Sequence, residues 1–405
     1  MKRIDCFAAI IGGGAAGMMC ALKAAENNPG EKIIILEKAD RVGKKLLVTG
    51  NGRCNLSHIG AAAASYHGED SEDLINILFK KYNSDAVLSY FERIGLMTAH
   101  DGEGRVYPRS NQASSVLDVL RMRLHDHGVE EYCGVDICEI RKVRGGYEIL
   151  IDNEIIATQK LIMAVGGKAD YAGRESGADI LTGLGLAVVK STPSLTPVKV
   201  ENDILRSLKG IRTAAQVSLI RNGEVIKTER GELQFADGAL SGICVFNLSR
   251  YANRHQGCEI AVALLPEMTQ EAIHDELKRR AVLNRNGVAA DIFIGIFHKN
   301  IGNALLKEAG IKPSALCKDI SDKELYSLAE RINNWRFKTI PRHDFKSAQV
   351  TAGGVKLSEI NHHTFESKRH KGLYVIGEAL DVDGDCGGYN LQFAFASGMC
   401  AGDHL

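Results

Sequence analysis

The pattern of apolar and polar positions is sharpest in the first forty residues. Ile4 to Ile11 is a short, mainly apolar run that stops at Gly12-Gly13-Gly14-Ala15-Ala16-Gly17. Beyond the glycines, Met18, Leu22 and Ala25 fall at i, i+4 and i+7, the spacing of a helix with one buried face. A second apolar run, Lys32 to Leu36, ends at an acid, Glu37. The stretch reads strand, glycine turn, helix, strand, acid.

The rest of the chain falls into two textures. Ser71–Tyr82 and Ser84–Ile94 read as helices with serine N-caps, the second stopped by Gly95. Val106–Arg109 reads as extended, and Ala113–Asp126 as a helix with Val116, Leu117, Leu120 and Leu124 on one face. Residues 129–158 read as antiparallel strands turning at Gly145-Gly146 and Asp152-Asn153. Leu161–Val165 is a buried strand ending at Gly166-Gly167. Pro193 and Pro197 mark a change: 198–236 is strand-like, with a hairpin at Asn222-Gly223, and 268–334 is helical, capped at Thr269 and Ser321. Residues 346–405 return to the first texture, with a strand at Gly372–Ile376, Gly377-Glu378, and a small-residue helix after Asp385–Asn390. The expected organisation is a discontinuous domain, 1–193 with 346–405, interrupted by an insert at 194–345.

Composition removes several function classes. The 405 residues carry 50 Lys+Arg and 50 Asp+Glu, so no net field favours nucleic acid or an anionic membrane. Ten cysteines are scattered without a CxxC, which argues against zinc ribbons, iron–sulfur clusters and dithiol redox. His125/His127 and His362/His363/His370 lack accompanying carboxylate or cysteine spacing and read as surface histidines, so no metal is expected. Met1-Lys2-Arg3 leads straight into the first strand rather than into a signal peptide, and no run approaches the ~18 apolar residues of a membrane span. A soluble, cytoplasmic protein is expected.

The first forty residues carry the chemistry. A glycine turn between strand and helix, followed by an acid 20 residues beyond Gly17, is the arrangement that binds a dinucleotide. Gly12 permits the tight turn, Gly14 lets a pyrophosphate approach the backbone, and Gly17 lets helix and sheet pack closely. The N–H groups of the first helical turn, at Ala15 and Ala16, attract phosphate, and Glu37 accepts from a ribose diol. The next stretch, 38–58, brings Lys38, Arg41, Lys44, Lys45 and Arg53 around Thr49-Gly50-Asn51-Gly52. Such a loop can neutralise phosphates and wrap a cofactor's middle. Cys54, followed by Asn55, and Cys386 sit within motifs that can reach the cofactor.

Six segments together resemble the bacterial FAD-dependent flavoproteins called BaiN- or YhiN-like, or aminoacetone-oxidase-like. They are IIGGGAAGMMCAL (10–22), KKLLVTGNGRCNLSH (44–58), GRVYPRSNQASSVLDVLR (104–121), GELQFADGALSGICVFNLSR (231–250), VTAGGV (350–355) and GLYVIGEALDVDGDCGGYNLQFAFASGMCAG (372–402). The resemblance implies an α/β fold in which a Rossmann-like FAD domain is interrupted by a β-barrel-like domain (about 194–267 and 335–345) and a small helical one (about 268–334). It implies FAD contacts at Asn51, Gly52, Arg53, Cys54 and Asn55, with Val135 at the adenine and Ala164 and Gly166 close by. Gly377-Glu378 would address the ribityl chain. Asp385, Gly388, Tyr389, Asn390 and Leu391 would lie at the flavin end, where a helix N-terminus favours the reduced form. Phe235-Ala236-Asp237 and Cys244 depart from the family pattern and leave the substrate open.

FAD is expected rather than FMN, because the glycine turn and Glu37 address an adenosine half that FMN lacks. The expected activity is oxidoreduction of a small organic substrate with NAD(P)H as electron partner, although no second dinucleotide fingerprint is legible. An amine or aminoketone oxidase using oxygen is the same-fold alternative. A flavoprotein that binds or modifies RNA is a different class, disfavoured by the charge balance. No residue stands out as catalytic acid or base.

Overall fold

The computed structural model describes residues 2–152, 154–169 and 177–405; Asn153, half of one expected turn, lies outside the described residues. The chain divides into two compact units, one of Met1–Ser191 with Gln349–Leu405 and one of Thr192–Ala348.

The first unit is framed, in chain order, by β1 (Lys2–Ile11), α1 (Ala15–Asn27), β2 (Ile33–Glu37), α2 (Lys44–Val48), α3 (Ala113–Asp126), β3 (Glu130–Cys133), β4 (Ile137–Val143), β5 (Gly146–Ile151), β6 (Glu154–Met163), β7 (Leu373–Val375) and α4 (Tyr389–Gly402). The sheet order is β3-β2-β1-β6-β5-β4, with β7 also paired to β6. β6 runs parallel to β1 throughout, antiparallel to β5 in its first half and parallel to β7 in its second. Strands covered on both faces need no polar alternation, which is why Ile33–Leu36 is uniformly apolar and buried. Helix α4 lies against α1 at glycines: a Cβ on Gly398 would meet Ala16 O at 2.5 Å, and one on Gly402 would meet Cys20 O at 2.7 Å.

Several expected elements shift. β3 pairs parallel to β2 rather than in an antiparallel meander, because it returns to the sheet after the crossover helix α3. β6 continues where a break was expected; the Thr158 hydroxyl, buried in it, has Lys160 O at 2.8 Å to donate to and Phe7 O as an alternative acceptor at 3.2 Å. The helix expected at Ser71–Tyr82 ends at Leu78. Ser84 is not the cap of its helix; Asn83 is, accepting from Ala86 N at 3.0 Å. The basic stretch is not all loop, since it contains α2 and a 3₁₀ turn at Thr49–Gly52.

The second unit is a closed six-stranded barrel with helices. Its strand order is Val198–Val200, Ala239–Ser241, Glu224–Ala236, Arg212–Arg221, Cys258–Ala263, Trp335–Ile340. Asn222 (φ 52°) and Gly223 (φ 84°) make the expected hairpin turn. Val217, Leu219, Leu233, Phe235, Ile260 and Trp335 are fully buried. Thr269 and Ser321 cap Gln270–Leu283 and Asp322–Asn333 as expected. Helix Ile243–Arg254 was not foreseen from the sequence; it buries Val245, Leu248 and Ala252. The architecture is the Rossmann-like α/β class with a barrel-like sheet and helices.

The end of α4 is fastened by charge. Asp403 accepts from Asn27 Nδ2 (3.0 Å), Tyr82 OH (2.8 Å) and Lys81 Nζ (3.1 Å), with Lys23 Nζ at 3.1 Å. Burial alone pushes its carboxyl up, but those hydrogen bonds and charges outweigh burial and hold it at about 2, below the ordinary 3.8. A depressed carboxyl contributes stability above the unfolded-state value and loses it as pH falls through the folded one. Asp403→Asn should therefore cost about 2 kcal/mol of charge-linked stability at neutral pH. Denaturant titrations of both proteins should show that difference vanish between about pH 4 and about pH 2.

Candidate functional site

The site begins at the turn between β1 and α1. Gly12 has φ +103°, and a Cβ there would lie 2.3 Å from Ala164 O; one on Gly17 would lie 1.9 Å from Gly12 O. Both glycines are demanded by the fold. Gly14 differs: its φ is −79°, open to any residue, and no described atom lies within 4 Å of its added Cβ. The space left there faces the first turn of α1, whose N–H groups have no partners one turn back.

Glu37 closes the turn. Its Oε2 accepts Gly13 N at 2.8 Å, its Oε1 accepts Ala39 N at 2.7 Å, and its backbone O accepts Val135 N at 3.2 Å. Each carboxylate oxygen keeps a further lone pair, so the expected ribose contact remains geometrically open. A cavity of about 420 Å³ opens here. It brings together Gly12, Gly14, Glu37, Lys38, Lys44, Lys45, Val135, Ala164 and Gly166 from the expected set. Gly13 and Gly167, from the two glycine motifs, line it too, and Gly43, Asp136 and Ala169 join them unforeseen. The lining cations are paired: Lys38 with Asp136 at 3.3 Å, Lys44 with Asp40, and Lys45 with Glu378.

The remaining expected residues do not line this cavity. Ala15 opens α1, and Ala16 is buried where a Cβ on Gly377 would meet it at 2.8 Å. Half of the others gather at the start of α4. Gly388 (φ +105°) caps that helix, and a Cβ on it would lie 2.3 Å from Ser57 O and 2.7 Å from Asn55 Oδ1. Asn55 Oδ1 is buried with no partner among the described residues. Tyr389 stacks on His58 with ring centroids 4.6 Å apart and accepts at its O from Tyr66 OH at 3.0 Å. Leu391 is half-buried against the core. His67 Nε2 lies 2.8 Å from Asp385 Oδ1.

The Asn390 amide is spent within the protein: Oδ1 accepts Gly384 N and Nδ2 donates to Gly384 O, both at 2.8 Å. A bound group can therefore meet the Asn390 backbone N–H of the helix's first turn more readily than its side chain. Asn51 and Gly52 are exposed, and Arg53 lies 4.7 Å over the Tyr107 ring. Burial pushes the Cys54 thiol up to about 12, against a hydrogen bond with Thr49, and the Cys386 thiol up to about 11. Neither is a ready thiolate. Cys244, a departure from the family pattern, is buried and donates to Glu232 O at 3.4 Å, so its place is in the core of the second unit.

Among the described residues no helix is long and apolar enough to cross a membrane, and no group of three or more metal-ligating side chains is assembled. A family model described as "HI0933-like protein Rossmann domain" matches residues 7–404. The chain belongs to this family. A 3-dehydro-bile acid delta(4,6)-reductase of Clostridium scindens is 35% identical over 399 residues, covering 97% of each chain. A ribosomal RNA dihydrouridine synthase of Escherichia coli is 26% identical over 411 residues, covering 100% of this chain and 98% of that protein. A solved 3-ketosteroid-delta4-(5alpha)-dehydrogenase of Rhodococcus jostii covers 99% of this chain and 97% of its own at 12% identity, with a TM-score of 0.48. This member of the HI0933-like family is an FAD-dependent oxidoreductase. The open approach at Gly14 fits that cofactor, being a cradle that a Cβ would fill.

Gly14→Val separates the roles of the glycines. The variant should fold with a thermal midpoint near that of the natural protein, yet purify with little or no FAD. Full flavin occupancy in a folded Gly14→Val protein would make Gly14 a structural glycine only.

Proposed function

We propose that this protein reduces a carbon–carbon double bond conjugated to a carbonyl in a small organic substrate, with NAD(P)H as the electron source. The observation that carries the reading is the 35% identity, end to end, with a reductase named for a delta(4,6) bile acid. The second relative points to the same bond chemistry, since dihydrouridine is uridine with its carbonyl-conjugated double bond saturated. FAD, when bound, would supply two-electron hydride chemistry between the NAD(P)H donor and the conjugated double bond.

The chain's own residues bind and orient. The N–H groups of the first turn of α1 and the open face of Gly14 would hold the pyrophosphate, with Lys44 and Lys45 lining the same cavity. Glu37 would accept from the adenosine ribose, and the Val135 segment would line the adenine. The first turn of α4, at Tyr389, Asn390 and Leu391, offers N–H groups and a positive helix end to charge developing at the flavin end. Substrate choice falls to the second unit, where the sequence departs from the family pattern at Ala236, Asp237 and Cys244.

Ribosomal RNA is the second reading, favoured by the relative of that name and disfavoured by a net charge of +0. Anaerobic mixing separates the readings. NADH or NADPH should bleach the flavin band, and a conjugated cyclic enone should restore it with one equivalent of saturated ketone formed. Restoration by ribosomal RNA but not by enones would transfer the conclusion to the second reading. Bleaching by amines alone, with oxygen as acceptor, would overturn both.

A further inference from the structure

We propose that Thr351, on the strand Val350–Val355, is a positioning residue that holds two walls of the cavity beneath Glu37 and Gly14; the proposal rests on the FAD reading of that cavity. Thr351 is 2% exposed and does not line the cavity itself. Its backbone N–H donates to Glu378 Oε1 at 2.8 Å, and the other oxygen of that carboxylate holds the Lys45 ammonium. Its hydroxyl accepts Ala169 N at 2.9 Å. Lys45 and Ala169 both line the cavity, one from α2 and the other from the segment after β6. A single threonine thus addresses one wall through its main chain and the other through its side chain.

The second wall has no ladder to hold it. Residues 164–169 follow β6 without regular secondary structure, so the buried Ala169 N–H depends on a side-chain acceptor rather than on a ladder carbonyl. The segment also packs directly on this group. A Cβ on Gly167 would lie 2.4 Å from Thr351 Oγ1 and 2.8 Å from Glu378 Oε1. A glycine on one side and a hydroxyl on the other allow the approach, and they bring Gly166 and Ala164 to the cavity.

Thr351→Val keeps the shape and the backbone N–H to Glu378 and removes only the acceptor for Ala169. Thr351→Ser keeps the acceptor. The test strips the flavin and titrates FAD back into each protein, following flavin fluorescence, with thermal midpoints recorded before FAD is added. Thr351→Val should bind FAD about tenfold more weakly at an unchanged flavin-free midpoint, and Thr351→Ser should match the natural protein. If Thr351→Val does not fold, Thr351→Ala against Thr351→Ser decides, since the two differ by the hydroxyl alone. Natural affinity in the hydroxyl-free variant, or a serine variant as weak as it, overturns the proposal. Failure of the natural protein itself to take up FAD overturns the cofactor reading and this proposal with it.

Discussion

The cavity stands on one carboxylate. Glu37 sits at the end of β2 and takes Gly13 N on one oxygen and Ala39 N on the other. Those two bonds fix where the glycine turn leaves β1 and where the chain leaves β2, so the first turn of α1 and the Lys38–Lys45 segment share one opening. A charge-assisted hydrogen bond contributes roughly 1.5–3 kcal/mol, and a buried N–H left without its acceptor costs about as much again. The carboxylate therefore both shapes the turn and faces the opening.

Around that carboxylate the constraints are steric. Ala164 O crosses so near Gly12, and Gly12 O so near Gly17, that neither glycine tolerates a side chain. Among the glycines of this turn Gly14 is free of such contact with the described residues, so packing does not demand a glycine there as it does at Gly12 and Gly17. The same logic appears at α4, where Gly388 admits Ser57 O and Gly398 admits Ala16 O.

Much of this was legible in the sequence because the signals are local. The β1-turn-α1-β2 unit, helix Ala113–Asp126, the Asn222-Gly223 hairpin and the caps at Thr269 and Ser321 rest on spacing and turn chemistry within about a dozen residues. What escaped depends on distant partners. Helix Ile243–Arg254 takes its place from the barrel it covers rather than from a strong cap, and β3 is parallel because of the crossover before it. The Lys45–Glu378 pair joins residues 333 positions apart, and the Thr351 hydroxyl finds Ala169 across 182. No local pattern marks such partners, although VTAGGV stood out as a segment. Asn390 shows the converse: a residue placed at the flavin end by resemblance has its amide engaged by Gly384.

Whether the opening beneath Glu37 and Gly14 holds FAD is read from the identity and amount of the released chromophore. Protein purified without added cofactor is denatured by heat, and the supernatant is run against FAD and FMN standards. The released chromophore should be FAD, close to one per chain. A colourless protein that takes up no added FAD, or one that releases FMN, would contradict it, because FMN has no adenosine half for the turn and Glu37 to bind.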